Sequence, residues 1–163
     1  MIVLTLRAAL FTVLVPGTVT VWLPFYVFDW ESTVRYPLGW ILIAAGALLY
    51  FACAAEFLLT GHGTPNISFG RVLRLVIGSE PQQLVRASLY RFCRNPMYVG
   101  VLTVLLGEAW LCGSWRRLAY AGVVGVLFHI VVVSVEEPHL RRARGEAYRE
   151  YCRTVPRWIP RLP

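Results

Sequence analysis

The chain has 163 residues, of which 57% are hydrophobic and 15% charged, with a formal net charge of +7. A soluble domain carries about 45–50% apolar residues and about 25% charge, so composition excludes an ordinary water-soluble fold and points to one membrane domain spanning residues 1–163. The charge does not imply nucleic acid: all sixteen basic residues are arginine, and they gather at the ends of apolar runs, as orientation in a bilayer requires.

Crossing the hydrocarbon takes about 20 apolar residues, and the run 8–28 supplies that length. Arg7 ahead of it imitates a signal peptide, but no small-residue cleavage site follows, so a retained span is expected. Pro16, Gly17 and Pro24 predict a kink, tolerable where neighbouring helices satisfy the freed backbone. Residues 29–37 mix acids, aromatics and Pro37 and read as an interfacial turn. A second span covers 38–59, with Glu56 near its end; acids at that depth usually face a bundle interior. The segment 60–96 is rich in Gly, Ser, Pro and Arg, with one apolar island at 72–77, and connections of that length are usually functional or disordered. Spans three and four, 97–112 and 118–135, are separated only by Gly113, Ser114, Trp115, Arg116 and Arg117, which predicts a tight helical hairpin. Glu108 lies in the third span. His129, deep in the fourth, reads as a hydrogen-bonded packing residue.

The expected fold is therefore all-α: a polytopic membrane helical bundle of about four transmembrane helices, closed by a C-terminal interfacial amphipathic helix. With that topology Arg7, the arginines of the 60–96 loop and those of the 136–163 tail share one side, thirteen of the sixteen. The positive-inside tendency then puts both termini in the cytoplasm. Cys53, Cys93, Cys112 and Cys152 form no CxxC pair and have no histidine at ligand spacing, so neither a zinc site nor a disulfide framework is expected. His62 and His139 make no metal motif, and no serine-hydrolase elbow, phosphate loop or HExxH occurs.

Two polar segments lie on the cytoplasmic side. At 94–98, Asn95 is a favoured N-cap type and Pro96 suits a first helical turn. That pattern fits a capped helix start, and equally a carboxylate held by Arg91, Arg94 and free helix N–H groups. Glu136 and Glu137 leave the fourth span just before Pro138, about 100° apart around a helix, so one can accept from a ligand while the other pairs with an arginine. In the tail, Leu140, Ala147, Tyr148 and Tyr151 mark one face with Arg141, Arg142, Arg149 and Arg153 around it. An amphipathic surface helix of this kind anchors to lipid headgroups or closes a pocket.

These segments resemble those of the isoprenylcysteine carboxyl methyltransferase and phospholipid methyltransferase group of integral-membrane enzymes. The resemblance covers roughly residues 61–161: GHGTP at 61–65, Leu84 and Val85 ahead of Tyr90, RNPMYVG at 94–100, GEAW at 107–110, EEP at 136–138, GEAYREY at 145–151 and VPRWIP at 155–160. It implies an S-adenosylmethionine pocket with Tyr90, Arg94, Asn95, Pro96 and Tyr98 on one wall and Glu136 and Glu137 on the other. Tyr148 and Arg153 belong to the closing tail, with Glu137 and Arg153 expected in catalytic roles, Glu137 as the base for an amine acceptor. The implied partner is a lipophilic or membrane-associated acceptor at the cytoplasmic leaflet; the compact chain and its arginine usage point to a bacterial inner membrane. Many relatives carry histidine where this chain has Asn95, an amide that cannot act as an acid or base near neutral pH. Ser88 or Leu89 replaces a usual glycine, and Arg144 a usual aromatic. A nicotinamide-dependent reductase of the sterol-reductase type and a non-catalytic membrane scaffold are the alternative readings.

Overall fold

The computed structural model describes residues 2–28, 34–59 and 88–160. The expectations for the turn at 29–33 and for the loop at 60–87, including GHGTP and the island at 72–77, lie outside the described residues. Among the described residues every regular element is a helix. Helix α1 is Ile2–Leu14; a π turn at Thr18–Trp22 leads into α2, Leu23–Val27. Helix α3 is Gly39–Leu59, and a single 3₁₀ turn, Ser88–Arg91, precedes α4, Pro96–Cys112. Helix α5, Trp115–Val131, passes through a second π turn, Val132–Glu136, into α6, Glu137–Arg144. Helix α7, Glu146–Thr154, ends the order. Among the described residues three stretches are long and apolar enough to cross a membrane, Thr5–Val27, Gly39–Leu59 and Trp115–Arg144, and α4 is a shorter apolar helix. The outward side chains agree: Leu48, Val126 and Ile130 are all exposed, where hydrocarbon takes the place of water. The chain is an integral membrane protein.

Each π turn stands directly before a proline and for the same reason. Proline lacks an N–H and its ring crowds the carbonyl four residues back, so an α-helix cannot simply continue through it. Widening one turn relieves the crowding: Leu23 N–H reaches Thr18 O ahead of Pro24, and Glu137 N–H reaches Val132 O ahead of Pro138. In the first case the diverted bond frees Val19 O, and the Tyr120 hydroxyl from α5 donates to it at 2.8 Å. The expected kink is thus a π turn satisfied by a neighbouring helix.

The same device changes the reading of the fourth span. Helix follows helix without a break from Trp115 to Arg144, so Glu136 and Glu137 lie within a long helical rod rather than at the exit of a span ending at 135. The break comes later, at Gly145, whose φ of 54° and ψ of −129° suit glycine almost alone. It turns the chain back so that Tyr148 and Tyr151 of α7 bury against Leu140. Ala147, expected on that face, is exposed.

Helices α3 and α4 pack antiparallel at very short range. A Cβ on Gly46 would come within 2.6 Å of Gly100 O, and one on Gly39 within 2.6 Å of Gly107 O. Without side chains at these crossings the backbones touch, the usual way helices associate where lipid removes the hydrophobic drive. The α4–α5 turn closes on Gly113 in the left-handed region, φ 59°, followed by Ser114, whose side chain accepts from Arg117 N–H. The hairpin is further tied by a buried Arg117–Glu108 contact of 3.5 Å. Together these contacts set the start of α4 beside the π turn of the long rod.

Candidate functional site

The chain approaches α4 through Tyr90, Cys93, Arg94 and Asn95, and the returning tail 155–160 is bonded along this approach. Arg94 N–H donates to Pro156 O at 2.9 Å, Asn95 Nδ2 to Arg157 O at 3.1 Å, and Cys93 Sγ to the carbonyls of Arg157 and Trp158. Asn95 occupies the N-cap position, but its side chain makes no capping bond; its Nδ2 donates to the tail instead. Tyr151 O–H donates to Tyr90 O at 2.6 Å, docking α7 on the same approach. Burial pushes the Tyr90, Tyr148 and Tyr151 phenols and the Cys93 thiol above their ordinary ranges, so these groups are neutral donors.

At the centre is Glu137, 3% exposed. Arg157 grips it through two bonds, Nε to Oε1 at 2.6 Å and Nη2 to Oε2 at 3.1 Å. Arg94 Nη1 reaches Oε1 at 2.9 Å, and Arg141 Nη2 reaches Oε2 at 3.3 Å from the same helical face. Both oxygens therefore accept from guanidiniums, an arrangement that uses the carboxylate form. The hydrogen bond to Glu137 raises the Arg157 pKa further, keeping that guanidinium charged. Arg94 Nη1 also contacts Cys152 Sγ at 2.9 Å. Its Nε is buried and has no hydrogen-bond partner among the described residues, a deficit of about 1–3 kcal/mol for a buried donor.

Beside this cluster the Tyr98 hydroxyl donates to Glu136. The Tyr98 ring packs against Phe128 with centroids 4.6 Å apart and against Trp158 at 6.4 Å. A separate apolar cavity of about 230 Å³ is lined by Leu49, Leu89, Phe92, Cys93, Pro96, Val99 and Pro160, and by none of the cluster's charged groups. Of the residues singled out from sequence, Arg94, Tyr98, Glu136 and Glu137 converge directly. Tyr90, Asn95, Pro96 and Tyr148 form the surrounding frame. Arg153 stays outside: its guanidinium is exposed and pairs with Glu150 at 3.1 Å and Glu146 at 3.9 Å on the outer side of α7. The position at the cluster belongs instead to Arg157, which sequence reasoning passed over although it stands between Pro156 and Pro160 in the quoted VPRWIP motif. Trp158 and Cys152 were missed too, and among the described residues no group of His, Cys, Asp and Glu could hold a metal.

Two polar segments far apart in sequence, joined by an apolar hairpin into one buried Arg–Glu cluster, can be compared with known families. The phospholipid methyltransferase profile matches residues 34–147. The chain belongs to that family. It is 26% identical over 118 residues to the Protein-S-isoprenylcysteine O-methyltransferase of Schizosaccharomyces pombe, a match covering 71% of this chain and 49% of that protein. It is 31% identical over 138 residues to the Cobalt-zinc-cadmium resistance protein CzcN of Cupriavidus metallidurans, covering 82% and 62%. A more distant similarity, 23% over 146 residues, links it to the Delta(14)-sterol reductase LBR of Gallus gallus, covering 83% of this chain and 23% of that one. The chain thus spans about half the length of the isoprenylcysteine relative. No solved structure matches it.

Proposed function

We propose that this protein transfers a methyl group from S-adenosylmethionine to a lipophilic acceptor at the cytoplasmic leaflet of a bacterial inner membrane. The observation that carries the reading is Arg94: a buried guanidinium, already opposite a carboxylate, with one N–H that has no partner among the described residues. A ligand carboxylate is the group that such a donor fits, and the methionine portion of the cofactor has one. Arg94 and Arg157 would hold that carboxylate, Tyr148 and Tyr98 would flank the site, and Asn95 and Pro96 would fix the approach to α4. When bound, the cofactor supplies an electrophilic methyl on a sulfonium. This chain's residues contribute alignment and exclusion of water, which suffice for a displacement that neutralises charge.

Glu137 acts in this scheme by fixing the guanidiniums, since both its oxygens are engaged. A carboxylate or thiolate acceptor needs no base. An amine acceptor must lose a proton, and Glu136, which among the described residues accepts only from Tyr98, has the free capacity to take it. Arg153 receives no role at the cluster. The gathering of thirteen arginines on one side supports the cytoplasmic placement.

Calorimetric titration with S-adenosylhomocysteine and, separately, NADPH tests the reading. Binding of the nucleoside thioether with no response to NADPH is expected. Binding of NADPH alone would favour a reductase and overturn it.

A further inference from the structure

The tail residue Trp158 donates its indole N–H to His129 Nδ1 at 3.0 Å. An indole nitrogen can only donate, so Nδ1 is the lone-pair nitrogen and the ring hydrogen sits on Nε2. Among the described residues Nε2 has no partner, and His129 is exposed on a helix that crosses the apolar layer. Its exposed neighbours are Val126, Ile130, Val133 and Ile159. A polar N–H directed at hydrocarbon is costly unless something fills it. The contacts behind it run inward: His129 packs on Trp158 with centroids 6.1 Å apart, Trp158 on Tyr98, and Tyr98 donates to Glu136. His129 lies seven residues before Glu136, about 10 Å toward the middle of the layer.

Resting on the methyl-transfer reading, we propose that His129 is the acceptor-recognition residue, its Nε2–H donating to a carboxylate or phosphate oxygen of a lipid-like acceptor that enters sideways from the bilayer. Trp158 is the positioning residue that presents this nitrogen as a donor. The assignment makes His129 a specificity determinant on the acceptor side only, because the cofactor-side arginines do not touch it.

The test uses the full chain in phosphatidylcholine vesicles with methyl-labelled S-adenosylmethionine and two acceptor probes, N-acetyl-S-farnesylcysteine for a carboxylate and phosphatidylethanolamine for a phosphate. For whichever probe is methylated, His129→Phe is expected to raise the acceptor KM about tenfold, equivalent to about 1.4 kcal/mol, with affinity for S-adenosylhomocysteine unchanged. His129→Gln, which restores an N–H donor, should recover most of the loss, and Trp158→Phe should raise the KM by less than His129→Phe. An unchanged acceptor KM in His129→Phe overturns the inference. So does a parallel fall in S-adenosylhomocysteine affinity, which would make His129 an anchor for the tail. Wild-type protein that binds S-adenosylhomocysteine but methylates neither probe overturns the acceptor assignment while leaving the cofactor site standing; wild-type protein that does not bind it sinks the parent reading and this inference together.

Discussion

Among the described residues, glutamates meet arginines at both ends of helix α4, and the two arrangements are built differently. At the hairpin end Arg117 meets Glu108 at 3.5 Å, nine residues apart in sequence, with the Arg117 guanidinium also over the Phe28 ring. At the other end Glu137 draws in Arg94, forty-three residues away, and Arg157, twenty residues away, at 2.9 and 2.6 Å. The hairpin pair closes a local turn. The Glu137 cluster joins three segments, and among the described residues a buried Arg94 donor has no partner. Identical chemistry thus fastens a local turn in one place and gathers distant segments in the other. The difference lies in how far apart the partners stand in sequence and in the buried Arg94 Nε, which has no partner among the described residues.

That contrast can be broken most severely at Glu137. Replacing it with alanine leaves buried guanidiniums without a counter-charge and should cost about 3–5 kcal/mol, read as a large loss of thermal stability in detergent together with loss of S-adenosylhomocysteine binding. Arg94→Lys keeps the charge but removes the planar fork; cofactor affinity should fall at least about tenfold, with a stability change smaller than that of Glu137→Ala. At the hairpin end, Glu108→Gln should lower thermal stability by about 1–3 kcal/mol and leave cofactor affinity alone. Gly145→Ala forces a left-handed φ on a residue with a Cβ, and should cost about 1–2 kcal/mol of stability, with a matching loosening of α7 in hydrogen exchange. The smallest effect is expected at Arg153→Ala, within about 0.5 kcal/mol and with cofactor affinity unchanged, since its partners are surface carboxylates of its own helix.

Much of the architecture was legible because hydrocarbon imposes length and apolarity on any span. The stretches 8–28 and 38–59 needed only that rule, and Gly113 with Ser114 announced the hairpin turn. What composition could not express was how a helix absorbs a proline: Pro138 looked like an end, while a π turn carries the rod through to Arg144. The glycine crossings of α3 and α4 were also hidden, since Gly39 and Gly46 are far from Gly100 and Gly107 and only docking pairs them. For the site, the twin glutamates stood out because charge at the edge of an apolar span is expensive, Arg94 because it stands at a helix start, and Tyr98 through the RNPMYVG resemblance. Arg153 was assigned to the closing tail by the resemblance, with its place beside the amphipathic face of the tail, and Arg157 was passed over. Periodicity reports which side of a helix is polar, whereas the direction taken by the tail after Thr154 decides which arginine arrives at Glu137.

The most direct test of the central claim is a calorimetric titration of S-adenosylhomocysteine into three proteins: wild type, Arg94→Lys and Glu108→Gln. The account predicts binding to wild type, equal binding to Glu108→Gln, and affinity weaker by at least about tenfold in Arg94→Lys. Equal affinity in all three, or no binding to wild type, would contradict it.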